Sequence, residues 1–297
     1  MNRMTRAKRA QILSLMVEGV SLRAISRLTG ASKNTIVKLL ADAGRACLVY
    51  SDGAMRNLTC KRIQCDEIWS FVYSKAKNVP EEKRGQFGYG DVWTWTAIDA
   101  DTKLIPTWRV GSRDAGVAYE LMHDLSRRLV GRVQLTTDGH RAYLSAVEDV
   151  FGIGIDYAML VKQYGEAPEG ERRYSPAVCL GAERKAIIGD PDPDHISTSY
   201  VERQNLSMRM GLRRFTRLTN AFSKKVENHI HALAIYFFHY NFIRIHQTLR
   251  VTPAMAAGVS SRLMDMTDLA DIVERWESTQ PRKKVGRKRT LHLKESN

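Results

Sequence analysis

A chain of 297 residues with a formal charge of +14 and a pI near 9.7 calls for a polyanionic partner, and nucleic acid is the commonest one. Four cysteines, Cys47, Cys60, Cys65 and Cys179, are too few and too irregular for a disulfide framework and lack the paired ligands of a zinc module, so they read as reduced, buried thiols. No apolar run could span a bilayer and Met1-Asn2-Arg3 opens no signal-peptide pattern, which excludes a membrane partner and sets the expected location as the cytoplasm, on the nucleoid.

Residues 6 to about 43 read as three short helices. Ile12, Leu13, Leu15, Met16 and Val17 make the apolar face of the first, which stops at Glu18-Gly19. Ser21 is a fitting N-cap for the second, which ends at Gly30, and the third follows Ala31-Ser32. A helix, a glycine-containing turn and a helix opening Ser32-Lys33-Asn34-Thr35 is the helix-turn-helix pattern. In that geometry Lys33, Asn34, Thr35 and Lys38 point into a major groove, with Arg23 and Arg27 near phosphates. A plain three-helix bundle with a solvated basic face is the alternative.

Residues 45–60 read as a linker, with Tyr50-Ser51-Asp52-Gly53 as turn chemistry. Ile63 to Tyr73 then forms a strand too apolar on both faces to be half solvated, interrupted by Asp66-Glu67. Neighbouring side chains on a strand leave from opposite faces, so these two acids are not expected to serve one site. A buried carboxylate needs a metal, a cation or a proton beside it. An ordinary buried ion pair would suffice for one acid. Thr137-Asp138-Gly139 and Tyr200-Val201-Glu202-Arg203-Gln204-Asn205 add acids at separations that suggest a carboxylate cluster for divalent metal.

Residues 74–90 read as a surface loop. Val92 to Ile98 and Leu104 to Val110 are strands about the turn Asp99-Ala100-Asp101-Thr102, which makes Asp99 and Asp101 turn formers rather than ligands. A helix over Asp114 to Leu129, a strand to Thr136, a helix over His140 to Val150 and a strand over Ile155 to Val161 follow. After an irregular insertion at about 164–198, helical spacing resumes at Ser199. In the insertion, Asp190, Asp192, Asp194 and His195 read as a solvated turn. This is the ribonuclease-H-like order: an α/β fold with a mixed sheet and flanking helices, preceded by a small all-α domain. Carboxylates on the first and fourth strands of that fold meet at a strand-end crevice.

Ser199-x-x-Glu202 is a capping box on paper, which gives Glu202 a purely structural alternative. Against it, Glu202, Asn205, Arg209 and Arg213 share one helical stripe, opposite an apolar stripe of Val201, Met208, Leu212 and Phe215. An acid followed by arginines suits metal and phosphate side by side; Arg203 adds a further cation. A second long helix from Val226 reads as packing, its histidines His229, His231 and His239 as core or surface residues. The segment from 259 reads as a last helix and a basic tail through Arg282-Lys283-Lys284 and Arg287-Lys288-Arg289.

Four motifs carry a family likeness: Asp66-Glu67-Ile68-Trp69-Ser70-Phe71, Thr137-Asp138-Gly139, Val201-Glu202-Arg203-Gln204-Asn205-Leu206 and Phe222-Ser223-Lys224-Lys225-Val226-Glu227. They resemble those of bacterial insertion-sequence transposases of the insertion-sequence-one family, over roughly Cys65 to Asn241. The resemblance implies an Asp-Asp-Glu site on a ribonuclease-H-like core, with Asp66, Asp138 and Glu202 as catalytic and metal-binding residues. It implies two magnesium ions, with manganese as a substitute, double-stranded DNA as element ends and as target, and a homo-oligomer on paired ends. The chain lacks the zinc-binding module that members of that family often place ahead of the helix-turn-helix. The domain boundaries expected are 1–44 for the DNA-binding domain, 61–258 for the catalytic domain and 259–297 for the C-terminal helix and tail. The activity expected is metal-dependent strand cleavage and strand transfer at terminal inverted repeats. The alternatives are a nuclease of the same fold that only hydrolyses, and a domesticated helix-turn-helix regulator without chemistry.

Overall fold

A computed structural model of the chain describes residues 4–165, 179–216 and 221–281. The basic tail from 282, the middle of the insertion at 166–178 and the expected helix end at Leu218 lie outside the described residues. Three helices open the chain: α1 (Arg6–Val17), α2 (Leu22–Thr29) and α3 (Lys33–Ala54). Each starts on a hydroxyl that accepts a backbone N–H of its first turn, from Thr5, Ser21 and Ser32 in order. Gly30, in the left-handed region at φ +66°, turns the chain between α2 and α3.

The stretch from 45 expected to be a linker is instead helix as far as Ala54. Gly44 and the Tyr50-Ser51-Asp52-Gly53 cluster look like a loop, yet α3 runs through both because it packs along a later helix, α7 (Val226–Phe238). Tertiary packing overrides weak local propensity here. Gly44 is what allows the approach, since a Cβ there would lie 2.4 Å from His231 Cβ.

The sheet consists of β1 (Arg62–Val72), β2 (Gly90–Asp99), β3 (Thr107–Gly111), β4 (Gln134–Asp138), β5 (Asp156–Tyr164) and β6 (Cys179–Ile188), in the order β3-β2-β1-β4-β5-β6. The first three strands are antiparallel, β4 and β5 run parallel to β1, and β6 returns antiparallel. That arrangement is the ribonuclease-H-like fold. The Asp99 turn forms as expected, with Asp99 accepting the Thr102 N–H at 3.2 Å. The region read as irregular before Ser199 contains β6, missed because it is exposed almost throughout and its mixed charge and small residues carry no alternation. The same exposure corrects the reading of Cys179: Cys47, Cys60 and Cys65 are buried, but Cys179 is not.

Helices α4 (Ala115–Ser126) and α5 (Ala142–Phe151) lie after β3 and β4; α6 (Ser199–Gly211) and α7 follow the sheet, then the short α8 (Pro253–Ala256) and α9 (Met266–Thr279). One apolar core runs from Ile12, Leu13 and Ile36 in the bundle, through Cys47 and Phe238, to Trp95, Leu135 and Tyr143. A second cluster joins Ile68 to Val201 and Met208 of α6 and Leu233 and Phe237 of α7. The C-terminal helix α9 adds Leu269, Ile272 and Val273 to the first core and is tied to α1 by Arg6–Asp271 at 2.5 Å and Arg9–Glu277 at 3.1 Å. Among the described residues no helix is long and apolar enough to cross a membrane.

Candidate active site

Strand β4 pairs with β1 only from Arg62 to Cys65 and ends at Asp138. From Asp66 onward that edge of β1 therefore lacks the neighbour it had, and a crevice opens where the two strands diverge. Asp66 faces α6, where Asn205 Nδ2 donates to its Oδ2 at 2.8 Å. Glu67 leaves from the other face, where the Tyr143 hydroxyl of α5 donates to Oε2 at 3.2 Å and Arg113 Nε to Oε1 at 2.6 Å. Asp138 closes its own turn by accepting the His140 N–H at 3.0 Å, with Arg113 Nη2 4.0 Å away.

Alternation thus separates Asp66 from Glu67, but it does not keep them in separate sites. Carboxylate oxygens of Asp66, Glu67 and Asp138 lie within 4.8 Å of one another. The expectation that Glu67 stands apart is corrected: with β4 ended, side chains from both faces meet around the bare edge of β1. Sequence periodicity gives the direction of a side chain but not where the neighbouring strand stops.

Burial, then repulsion from Asp138 and Glu67, pushes the Asp66 carboxyl up to about 7. Burial and Asp138 also raise Glu67, against the lowering effect of Arg113. His140 is lowered by burial and by Arg113.

Glu202 sits in the first turn of α6, half exposed, and is held by an ion pair with Lys162 of β5 and by the Thr198 hydroxyl. The capping box does not form. Helix α6 starts after Thr198, and its free N–H groups at Tyr200 and Val201 donate instead to Gln64 Oε1 of β1, at 2.9 and 3.2 Å. This long-range cap hangs α6 on β1 two residues before Asp66, which no local pattern could reveal. Glu202 is near enough to raise the Asp66 carboxyl, though its effect ranks below those of Asp138 and Glu67. It is not one of the three acids within mutual reach.

Of the residues expected to touch DNA, Arg23, Arg27, Lys33, Asn34, Thr35 and Lys38 are exposed along α2 and the start of α3. Lys38 is ion-paired with Asp42 of its own helix. Arg203, Arg209 and Arg213 are exposed as well. Asn205 is corrected: it is buried, with its amide on Asp66, because its position on the stripe faces β1 and not solvent. Gln64, Arg113 and Lys162 belong to the site although no local pattern in the sequence marks them.

The donor set fits a hard divalent cation. All the ligand atoms are oxygens, the preference of magnesium and manganese. The Asn205 Oδ1 beside Asp66 is buried and finds no donor. A cation would neutralise the repulsion that raises Asp66.

No protein-family model matches the chain, and no curated protein matches it. Among solved structures, the Mos1 strand transfer complex is 12% identical over 53% of this chain and 59% of that one, with a TM-score of 0.24. The Mos1 mariner paired end complex with Mn is 10% identical over 93% of this chain and 79% of that one, with a TM-score of 0.31. The chain spans less than two thirds of the length of the first of these. At such TM-scores the overlap is loose, and the fold assignment stands on the strand order.

Proposed function

We propose that the protein is a DNA transposase of the Asp-Asp-Glu type, which binds the ends of an insertion element and cuts and joins DNA strands. One observation carries this reading: Asp66 and Asp138 converge at the strand-end crevice of a ribonuclease-H-like sheet, with Glu202 on the adjoining helix. The basic charge and the exposed cations of α2 and α3 support a DNA substrate. Asp66, Asp138 and Glu202 would hold two magnesium or manganese ions. When bound, these would supply charge neutralisation at the phosphate and an activated oxygen nucleophile.

The chain's own residues do the rest. Asn205 fixes the orientation of the Asp66 carboxylate, and the Gln64 cap sets where the first turn of α6 presents Glu202. Arg113 spans Glu67 and Asp138 and limits repulsion between them. Lys162, paired with Glu202, adds a cation beside the acids that a phosphate could use. Joining two element ends in one event requires at least a dimer on paired ends. The DNA-binding role belongs to the bundle at 1–44, although that bundle shares its core with the catalytic part at 61–258.

The test is incubation with labelled duplex carrying the flanking sequences of the gene and magnesium, with strand cuts mapped. A nick that frees a 3′-hydroxyl, followed by its joining to target DNA, supports transposition. Cuts without joining leave a hydrolase, and metal-independent binding without cuts leaves a regulator.

A further inference from the structure

A cleft of about 810 Å³ separates the helical bundle from the segment between α6 and α7. Arg23 stands on the bundle side; Arg213, Arg214 and Lys224 stand on the other, and the described residues that line it include no carboxylate. Its width is fixed at the base. Gly19, at φ +71°, is close enough to α6 that a Cβ would lie 3.0 Å from the Gly211 carbonyl oxygen.

Arg214 is the unusual member. Its Nε donates to Ser223 Oγ at 2.8 Å, and no carboxylate among the described residues pairs with it. Burial lowers its guanidinium to about 10, so it keeps its charge at neutral pH. The neighbouring His229 is held neutral, since burial and Arg214 itself lower it to about 3, and adds no second positive charge there. Arg214 is half-buried on the cleft wall, and a partly desolvated cation with no carboxylate beside it gains when an anion arrives. The planar fork of a guanidinium matches the oxygens of a phosphate.

The cleft also has a fixed relation to the carboxylates. Ser223 bridges to Val72 at the far end of β1, and its carbonyl accepts the Tyr73 N–H at 2.8 Å. Asp66 lies back along the same strand by about 20 Å at the usual rise. That length corresponds to about six base pairs of duplex.

We propose that this cleft seats a phosphodiester group of duplex DNA on Arg214, with Arg213 and Lys224 beside it, and that the duplex runs from there along the free edge of β1 to Asp66. The proposal rests on the DNA-acting function and adds to it a second anchor, distinct from the bases met by α3.

The experiment measures binding of a labelled duplex by wild type, Arg214→Gln and Lys224→Gln, in chelator, over a range of salt, with thermal melts of the free proteins. The slope of log affinity against log salt should shrink by about 0.9 for each phosphate that the variant no longer neutralises. The Arg214→Gln melt should hold or rise, because a half-buried cation without a countercharge is gone. Ethylation of the phosphate about six nucleotides from the cut should interfere with binding by wild type and not by Arg214→Gln. Wild-type slopes in both variants overturn the proposal, as does a binding loss that merely tracks a fallen melt in Arg214→Gln with Lys224→Gln unaffected. Should wild type bind no duplex at all, the transposase assignment falls together with this one; unchanged slopes in a protein that does bind sink only the anchor.

Discussion

Asn205 donates to Asp66 across 2.8 Å, which fastens α6 to β1 at the acid that burial, and then its acidic neighbours, raise to about 7. The bond leaves the second carboxylate oxygen, Oδ1, on the Glu67 backbone N–H at 2.8 Å, so both oxygens are oriented by the protein. Asn205→Ala should preserve the fold at a cost of about 1–2 kcal/mol, the loss of one buried hydrogen bond to a charged group. It should weaken manganese binding several-fold, since Asp66 is then free to turn. Calorimetric titration with manganese checks this, and an affinity equal to wild type would remove Asn205 from the site.

Glu67 and Glu202 make opposite claims to the third position. Glu67 is within reach of the other two acids but held by Arg113 and Tyr143; Glu202 is farther and held by Lys162. If the protein is a transposase of this type, Glu202→Gln abolishes magnesium-dependent cutting with a stability change below about 1 kcal/mol, because its ion pair is partly exposed. Glu67→Gln should lower manganese affinity while leaving measurable cutting, and its melt at neutral pH should hold or rise, because burial and Asp138 raise this carboxyl and its Arg113 partner is exposed. Cutting by both variants, with melts alongside, decides between them. Robust cutting by Glu202→Gln and none by Glu67→Gln would transfer the role to Glu67.

His229 predicts an acid limb in stability. It is fully buried, its Nε2 3.4 Å from Ser70 Oγ, and its pKa falls from 6.5 to about 3 on burial beside Arg214. The folded state therefore stays neutral while the unfolded chain takes a proton below about 6.5, so stability is lost as pH falls through that window. At pH 5 the loss is about 2 kcal/mol from this one group. Asp66 has the opposite sign, since its raised carboxyl costs stability as pH rises toward 7. Comparing wild type with His229→Gln cancels that opposing contribution. Denaturant melts at pH 7 and pH 5 should show a smaller acid loss in the variant, and parallel losses would contradict the assignment.

Gly44 sets how closely α3 and α7 approach. Gly44→Ala would place a methyl 2.6 Å from His231 Cα, a backbone atom that cannot swing aside. A loss of about 3 kcal/mol or more is expected, against the slight gain such a change normally gives inside a helix. Chemical denaturation measures it; a gain would mean that the two helices can part at no cost.

The elements legible in the sequence are those with local causes. The hairpin at Asp99, the Ser21 cap of α2 and the apolar run of β1 each depend on side chains a few positions apart. The positions of Asp66 and Asp138 could be read because strand order brings their strands together. What was hidden depends on pairings between distant segments. The long α3 is maintained by α7, and the start of α6 by Gln64. Glu67 joins the cluster because β4 stops at Asp138, and a strand's end is not written in the strand beside it.

The pairing of α1 with α9 through Arg6–Asp271 and Arg9–Glu277 carries a consequence for biosynthesis. Chains leave the ribosome from the N-terminus, so the bundle that would read DNA lacks one of its helices until residues 266–279 have emerged. We expect nascent chains stalled before Met266 to leave α1 open to protease, and chains that have exposed α9 to shield it. The bundle would then be complete only once α9 has been made.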